Sequence, residues 1–159
     1  MSLEIRRPGS AMAALGAAAQ FLARREPFAA FPAGLLLDTL HGQIRRGHYL
    51  FAVEGQRVRA YLGWALLDAA VAERLAGSGR VPRAEECEGA DVVWLLTVGA
   101  SDSAALRAGI AAGRALYPGW RLMGVRHRPG GTARLLDHRI RGHAGPASPV
   151  PVGPGTVTP

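Results

Sequence analysis

The first half of the chain carries two helix-like patterns of hydrophobic residues. Residues 11–25 are rich in alanine and end before Pro27, and residues 33–46 repeat leucine and isoleucine at spacings of three and four before Gly47. Such spacing is typical of a helix with one apolar face, and glycine is favoured just beyond a helix end. The pattern therefore predicts two consecutive helices.

Strand-like alternation follows these helices. Two alternating runs in HYLFAVEGQRVRAYLGWALL meet at residues 54–56, which contain Gly55, and this predicts a β-hairpin. Side chains alternate between the two faces of a strand. In the second arm, alternation predicts one face for Val58, Ala60, Leu62 and Trp64, and the other for Arg57, Arg59 and Tyr61.

The second half of the chain contains one run that is apolar almost throughout. Residues 68–76 predict a short helix, and the run DVVWLLTV comes after a polar loop. Such a run is typical of a central strand buried on both faces. It leads into GASDSAALRAGIAAGRALY, which predicts a glycine turn, a Ser/Asp cap and a helix from Ser103. The segments WRLMGVRH and TARLLDHRI predict two final strands.

Together these elements predict one α+β domain over residues 1–143. Their order is α-α-β-β-α-β-α-β-β, which indicates a mostly antiparallel central sheet flanked by helices, with one strand-to-helix crossover. Residues 144–159 are rich in proline and glycine and carry no charge, so they are predicted to be a disordered tail.

Composition and charge narrow the classes of partner. The 159 residues carry a formal net charge of +7, and every basic side chain is arginine. A basic protein favours an acidic partner, such as nucleic acid, anionic lipid or an acidic protein. The arginines occur in pairs rather than in a long block, which argues against a nucleic-acid-binding tail. No apolar run reaches the roughly 20 residues of a membrane span, and the N-terminus lacks a signal-like apolar core, so a cytoplasmic location is predicted.

The residues that could carry chemistry are few. Cys87 is the single cysteine, which excludes a disulfide framework and a multi-cysteine metal site, and no metal is predicted. Its acidic neighbours should raise the pKa of the thiol, a poor setting for a nucleophile. His41 shares a helix face with Asp38 and is either a candidate base or a solvated surface residue. The turn from Gly99 to the helix at Ser103 is either a phosphate or carbonyl site or an ordinary capped helix.

Aromatic residues admit two interpretations. Three tryptophans and the two phenylalanines of the segment REPFAAFP could line a slot for an acyl chain, or they could belong to the core. A position inside a strand favours the core for Trp64 and Trp94.

Several blocks of the chain resemble a known family. LGAAAQFLARREPFAAFP, RRGHYLFAVEGQRVRAYLGWA and DVVWLLTVGASDSAALRAGIAAGRALYPGWRLMGVRHRP, in this order, resemble the RTX toxin-activating lysine acyltransferases over roughly residues 15–137. The resemblance implies a GNAT-like fold and transfer of a fatty acyl group from acyl carrier protein to internal lysine side chains of an RTX protein.

The resemblance also implies a co-substrate and a binding region. No tightly bound cofactor is expected; acyl carrier protein would deliver the acyl group as a phosphopantetheine thioester. GNAT-like proteins admit the thioester where the fourth strand separates from its neighbour. This places the arm near Gly99, Ala100, Ser101 and Ser103. The arginine-rich surface would complement the acidic carrier protein. Whether two chains form a homodimer is left open.

The residues that the family uses for proton transfer are replaced here. Alignment through Pro32 puts Phe28 at the position of the family's histidine, and Val93 stands where its aspartate would precede the strand's tryptophan. Neither side chain can move a proton. One alternative is a rebuilt catalytic pair of His41 and Asp91. The other is a non-catalytic binding or adaptor protein, in which Phe28 and Val93 enlarge an apolar slot.

Overall fold

A computed structural model describes residues 2–127, 131–142 and 152–153. It contains four α-helices and seven strands within these residues, and short 3₁₀ turns lie at Phe28–Ala30 and Ala84–Glu86. The elements are β1 (Leu3–Pro8), α1 (Ala11–Leu22), α2 (Ala33–Arg46), β2 (Tyr49–Glu54), β3 (Arg57–Leu67), α3 (Ala69–Ala76), β4 (Val92–Ala100), α4 (Ser103–Ala115), β5 (Arg121–His127), β6 (Ala133–Arg139) and β7 (Val152–Gly153).

The strands form one mostly antiparallel sheet in the order β6-β5-β4-β3-β2-β1-β7. Strands β4 and β5 are parallel, because α4 returns the chain across the sheet between them. The two-residue strand β7 also pairs in parallel, with the end of β1. The predicted α+β class and the mostly antiparallel sheet are confirmed.

The predicted order of elements is wrong at its start, because the structure begins with β1. This strand pairs antiparallel with β2, more than 40 residues further along the chain. The segment LEIRRP is short and ends at a proline, so its local pattern is weak. Its strand conformation depends on a partner that sequence periodicity does not reveal.

Local signals placed the helices and the hairpin well. Helix α2 has the predicted bounds and ends at Gly47, which adopts a left-handed conformation with φ of 71°. The hairpin turn contains Gly55 with φ of 61°. Helix α1 ends at Leu22, three residues earlier than predicted. Asp102 caps α4 by accepting a hydrogen bond from the Ala105 N–H at 2.9 Å.

Two layers of helix cover the two faces of the sheet. Phe51 and Val53 of β2 belong to the core beneath α1 and α2, whereas Leu50 and Ala52 belong to the core beneath α4. Neighbouring residues of a strand point to opposite faces. The sheet therefore separates the two cores, and α3 packs over Leu67 in a third cluster.

A β-bulge changes the predicted faces of the hairpin. The register moves from Ala52↔Ala60 to Val53↔Val58, so Arg59 has no partner on β2. An extra residue in one strand reverses the side-chain alternation beyond it. Val58 consequently packs in the core beneath α1, while Ala60, Leu62 and Trp64 pack beneath α4. The predicted single face for these four residues is therefore wrong at Val58.

The predicted tail covers residues 144–159. Most of it, residues 144–151 and 154–159, lies outside the described part of the chain. Only the backbone of Val152–Gly153 is described there, paired with Arg7–Pro8. The prediction of a disordered tail stays a prediction.

Candidate functional site

Strands β4 and β5 separate part of the way along their length. Their parallel ladder runs from Val92↔Arg121 to Leu95↔Gly124 and then stops. Strand β4 continues beside β3 as far as Ala100, and β5 continues beside β6 as far as His127. The sheet consequently opens between the C-terminal halves of these two strands, a place where backbone groups are not paired across the gap.

A second β-bulge lies where this opening begins. Trp64 of β3 pairs with Leu95, and Gly63 pairs with Thr97, which leaves Leu96 without a partner on β3. Bulges are enriched beside active sites because they redirect backbone groups and side chains. The last β4–β5 rung is at Leu95, so the bulge and the opening meet in β4.

Buried polar side chains connect this region to helix α2. The Tyr61 hydroxyl donates to Gln43 Oε1 at 2.9 Å, and Gln43 Nε2 donates to Thr97 Oγ1 at 3.0 Å. All three side chains are buried. Gly63 is required beside them, because a Cβ at this position would overlap the Gln43 side chain. Sequence reasoning missed this network, since Gln43 reads as one more polar residue of an amphipathic helix.

Aromatic residues line the face of the sheet that α4 covers. The Trp64 indole N–H donates to the Tyr117 hydroxyl at 3.0 Å, and the Tyr117 and Trp120 rings lie 5.4 Å apart. Trp64 is buried among core residues, as is Trp94, so the interpretation of these two as core is confirmed. Trp120 is only partly buried.

The predicted arm-binding residues lie at the end of β4 and the start of α4. Gly99 is buried and packs so closely against α1 that a Cβ would stand 2.5 Å from Leu22 Cδ2. Ala100 is half-buried, and Ser101 is exposed and accepts a hydrogen bond from Arg25 at 3.3 Å. Ser103 is exposed in the first turn of α4. The carboxylate of Asp102 already accepts a hydrogen bond from an N–H of the first turn of this helix. A bound anion would therefore compete with the Asp102 carboxylate for the N-terminus of α4.

The alternative catalytic pair is not joined by a hydrogen bond within the described residues. Asp91 is exposed just before β4, and its carboxylate accepts from the Ala69 N–H at 3.0 Å, at the start of α3. His41 is exposed on α2. The pair stays a hypothesis, in which Asp91 would have to exchange its helix contact for an imidazole.

The positions aligned with the family's catalytic residues lie in separate cores. Phe28 is 7% exposed and packs beneath α1 and α2, with Phe31 edge-on to its ring at 5.6 Å. Val93 is 3% exposed and packs on the other face, beneath α4. They do not form one apolar lining, so the expectation that together they enlarge a slot is wrong. The strand β4 and its neighbours stand between them.

The prediction for Cys87 holds in direction, with a different main cause. Burial raises the pKa of the Cys87 thiol most, and the nearby Glu86 and Glu85 add to this, while Arg46 opposes it. The thiol also donates to the Arg83 carbonyl at 3.1 Å. The residue is a buried structural thiol in this fold.

An arginine-lined cleft lies beside the end of β4, and the sequence did not predict it. It has a volume of about 610 Å³, and Arg24, Arg25, Arg57 and Arg59 line it. The pair Arg24–Arg25 was visible in the sequence, but only the fold brings it against the β2–β3 hairpin. The cleft lined by these four arginines is called the arginine cleft below.

Comparisons with known proteins leave the family open. None of the protein-family models matches the chain, and none of the curated proteins matches it.

Within the described residues, no helix is both long and apolar enough to cross a bilayer. The same residues contain no cluster of three or more histidine, cysteine or acidic side chains suited to a metal ion.

Proposed function

We propose that this protein is a GNAT-like relative of the toxin-activating lysine acyltransferases that binds the acyl-phosphopantetheine arm of acyl carrier protein between β4 and β5. One observation carries the proposal: the parallel ladder of these strands ends at Leu95↔Gly124, although both strands continue. An extended thioester arm can use backbone groups that such an opening leaves unpaired.

The bulge in β4 supports the same placement. Leu96 has no partner on β3 and lies just beyond the last β4–β5 rung, at the mouth of the opening. A backbone N–H held in a fixed position can polarise a thioester carbonyl without reorganisation. The net charge of +7 would also favour encounter with an acidic carrier protein.

Binding without transfer is the activity that the side chains support best. Phenylalanine and valine occupy the aligned acid–base positions, and they lie on opposite faces of the sheet. A second candidate is transfer of the acyl group to lysine side chains of an RTX protein, with His41 as base. The observation that favours it is the exposure of His41, whose side chain makes no hydrogen bond to the described residues.

The binding proposal predicts dependence on the phosphopantetheine arm and on the opening. Acyl-loaded carrier protein should bind at least tenfold more tightly than the carrier without its arm. Val125 is the first β5 residue past the last rung, so Val125→Trp should fill the opening and weaken binding of the loaded carrier about tenfold. Leu135→Trp, on the exposed edge strand, is the matched control and should retain binding. Calorimetric titration measures the affinity of wild type and of both variants. Equal affinity of wild type for the two carrier forms would refute the placement of the phosphopantetheine arm between β4 and β5.

Transfer is tested in the same mixture by intact-mass spectrometry of a lysine-bearing RTX protein fragment. The chain contains no lysine, so acylation of a lysine side chain can appear only on the substrate or the carrier. No fatty acyl increment on the fragment, with carrier protein bound, supports a binding protein. An increment that disappears in both His41→Ala and Asp91→Asn supports the rebuilt catalytic pair instead.

A further inference from the structure

The arginine cleft lies between three parts of the fold that are distant in sequence: α1 with the turn after it, the start of β3, and the end of β4 at Ala100 and Ser101. The turn after α1 brings Arg24 and Arg25, and the first residues of β3 bring Arg57 and Arg59. Its volume of about 610 Å³ lies in the range of small-molecule sites. The resemblance and the proposed function use the positive charge of the chain only to attract an acidic carrier protein, and neither gives this cleft a ligand.

The floor of the cleft is apolar and nearly buried. Phe21 of α1 and Val58 of β3 line it, and they are 2% and 3% exposed. The bulge at Arg59 turns Val58 towards α1 and so forms this floor. The Arg25 guanidinium lies 3.6 Å from the Phe21 ring centroid, and it also donates to the Phe21 carbonyl. One of the four cations is thereby held in place over the floor.

The charges around the cleft do not cancel. Arg59 binds the carboxylates of Glu54 at 3.1 Å and Asp102 at 2.6 Å. The side chains of Arg24 and Arg57 make no hydrogen bond or ion pair with the described residues, and no acidic side chain lines the cleft within that part of the chain. Four guanidinium groups against two carboxylates leave a local charge of 4 − 2 = +2. Like charges so close repel one another, which favours an anionic ligand.

We propose that the arginine cleft binds a small molecule through a phosphate monoester or pyrophosphate group. A guanidinium group presents paired N–H donors that match two phosphate oxygens, and an excess of two positive charges suits a dianion. Arg24 and Arg57 supply donors that no described residue occupies, and Arg25 adds a fixed one above the nearly buried Phe21 and Val58. A concave cleft with an apolar floor fits a small molecule better than an extended nucleic-acid backbone.

Inorganic pyrophosphate is the probe for this site, with sodium chloride added to equalise ionic strength. Wild-type protein should show saturable, one-site binding by calorimetry. The double variant Arg24→Gln/Arg57→Gln should weaken it at least tenfold, because it removes the two cations that no carboxylate of the described residues pairs with. Arg80→Gln/Arg107→Gln, on exposed positions outside the cleft, is the matched control with the same loss of charge and should bind as wild type.

The two double variants make the proposal refutable. Equal weakening in both would show that net charge alone attracts the anion, and absence of saturation in the wild type would remove the site. Melting temperatures within about 2 °C of wild type would exclude misfolding as the cause, since the four arginines replaced in the two double variants are exposed.

A further binding experiment with carrier protein identifies the molecule that supplies the phosphate. If Arg24→Gln/Arg57→Gln weakens binding of carrier protein that bears phosphopantetheine, but not binding of the carrier without it, the cleft receives the phosphate of phosphopantetheine. If binding of the carrier is unchanged while pyrophosphate binding is lost, the ligand is a free phosphorylated molecule. The inference does not depend on acyl transfer, because pyrophosphate binding is measured without any carrier protein.

Discussion

At the scale of single residues, a buried chain of three polar side chains joins α2 to the centre of the sheet. Tyr61 donates to Gln43, and Gln43 donates to Thr97, at the bulge where the β4–β5 opening begins. Burial also raises the pKa of the Tyr61 hydroxyl well above its ordinary value, so it remains a donor. A polar group buried without its partner is costly, which makes each member of this network sensitive to substitution.

Tyr61→Phe should lower the free energy of unfolding by about 1–3 kcal/mol, because Gln43 Oε1 then has no donor in the core. Tyr49→Phe is a matched control on the same face of the sheet, since the described residues give its hydroxyl no hydrogen-bond partner. It should cost less than about 0.5 kcal/mol. Urea titrations measure both losses, and equal losses would contradict a stabilising role for the network.

A second residue-scale effect concerns pH. Burial, with help from Arg46 and Arg7 and against the effect of Glu88, lowers the pKa of His48 to about 4. Its Nδ1 is buried without a hydrogen-bond partner among the described residues, and its ring stacks on Trp64 with centroids 6.5 Å apart. The neutral imidazole is therefore the form that fits the fold.

Stability should fall as the pH drops from about 6.5 to about 4. An unfolded chain takes up the proton near the ordinary histidine pKa, whereas the folded chain resists it, so the unfolded state binds more protons in this window. We expect His48 to contribute a loss of about 1–2 kcal/mol, given its partial exposure. His48→Phe keeps a ring against Trp64 and removes the titration. Urea unfolding at pH 7 and pH 4.5 should show a smaller loss for this variant than for wild type, and identical losses would rule His48 out.

At the scale of elements, α4 approaches the sheet through its glycines. Gly109 is buried against Leu62 of β3, where an added Cβ would stand 2.5 Å from Leu62 Cδ1. Gly113, about one turn further on, has Leu50 Cδ2 at 3.8 Å, which is an ordinary contact. The same helix thus offers one position that is sterically closed and one that is open.

Gly109→Ala should destabilise the protein by about 1–3 kcal/mol, because the helix has to shift away from β3. Gly113→Ala should instead stabilise it by up to about 1 kcal/mol, since alanine favours the helix and the space is free. Thermal melts of the two single variants give the comparison. A higher melting temperature in both variants would mean that the Leu62 side chain moves aside without loss of stability.

At the scale of the whole molecule, burial is uneven across the sheet. Strands β2 and β3 are buried along most of their length, whereas six of the seven residues of the edge strand β6 are exposed. Among the described strands, β6 has only β5 as a neighbour in the sheet. Segments with few buried contacts open more readily than the core.

Amide hydrogen exchange should therefore be at least about tenfold faster in Ala133–Arg139 than in the central part of β3. Peptide-resolved mass spectrometry in the native state measures the difference. Similar protection in both strands would show that β6 unfolds only with the whole domain.

The sequence by itself determined the elements whose signals are local. Helix α2 has its predicted bounds because leucine spacing, a preceding proline and Gly47 all act within a few residues. The hairpin at Gly55, the short helix α3 and the cap of α4 were predictable for the same reason. The absence of lysine also comes from the sequence alone.

Only the tertiary structure decided what depends on distant pairing. It made a strand of Leu3–Pro8, turned Val58 to the other face through the bulge at Arg59, and put Phe28 and Val93 in separate cores. It also brought Arg24 and Arg57 to the same cleft and opened the sheet between β4 and β5. Periodicity reports which face of an element is apolar, whereas strand register and cleft formation depend on partners tens of residues away, whose free energy of pairing no local pattern contains.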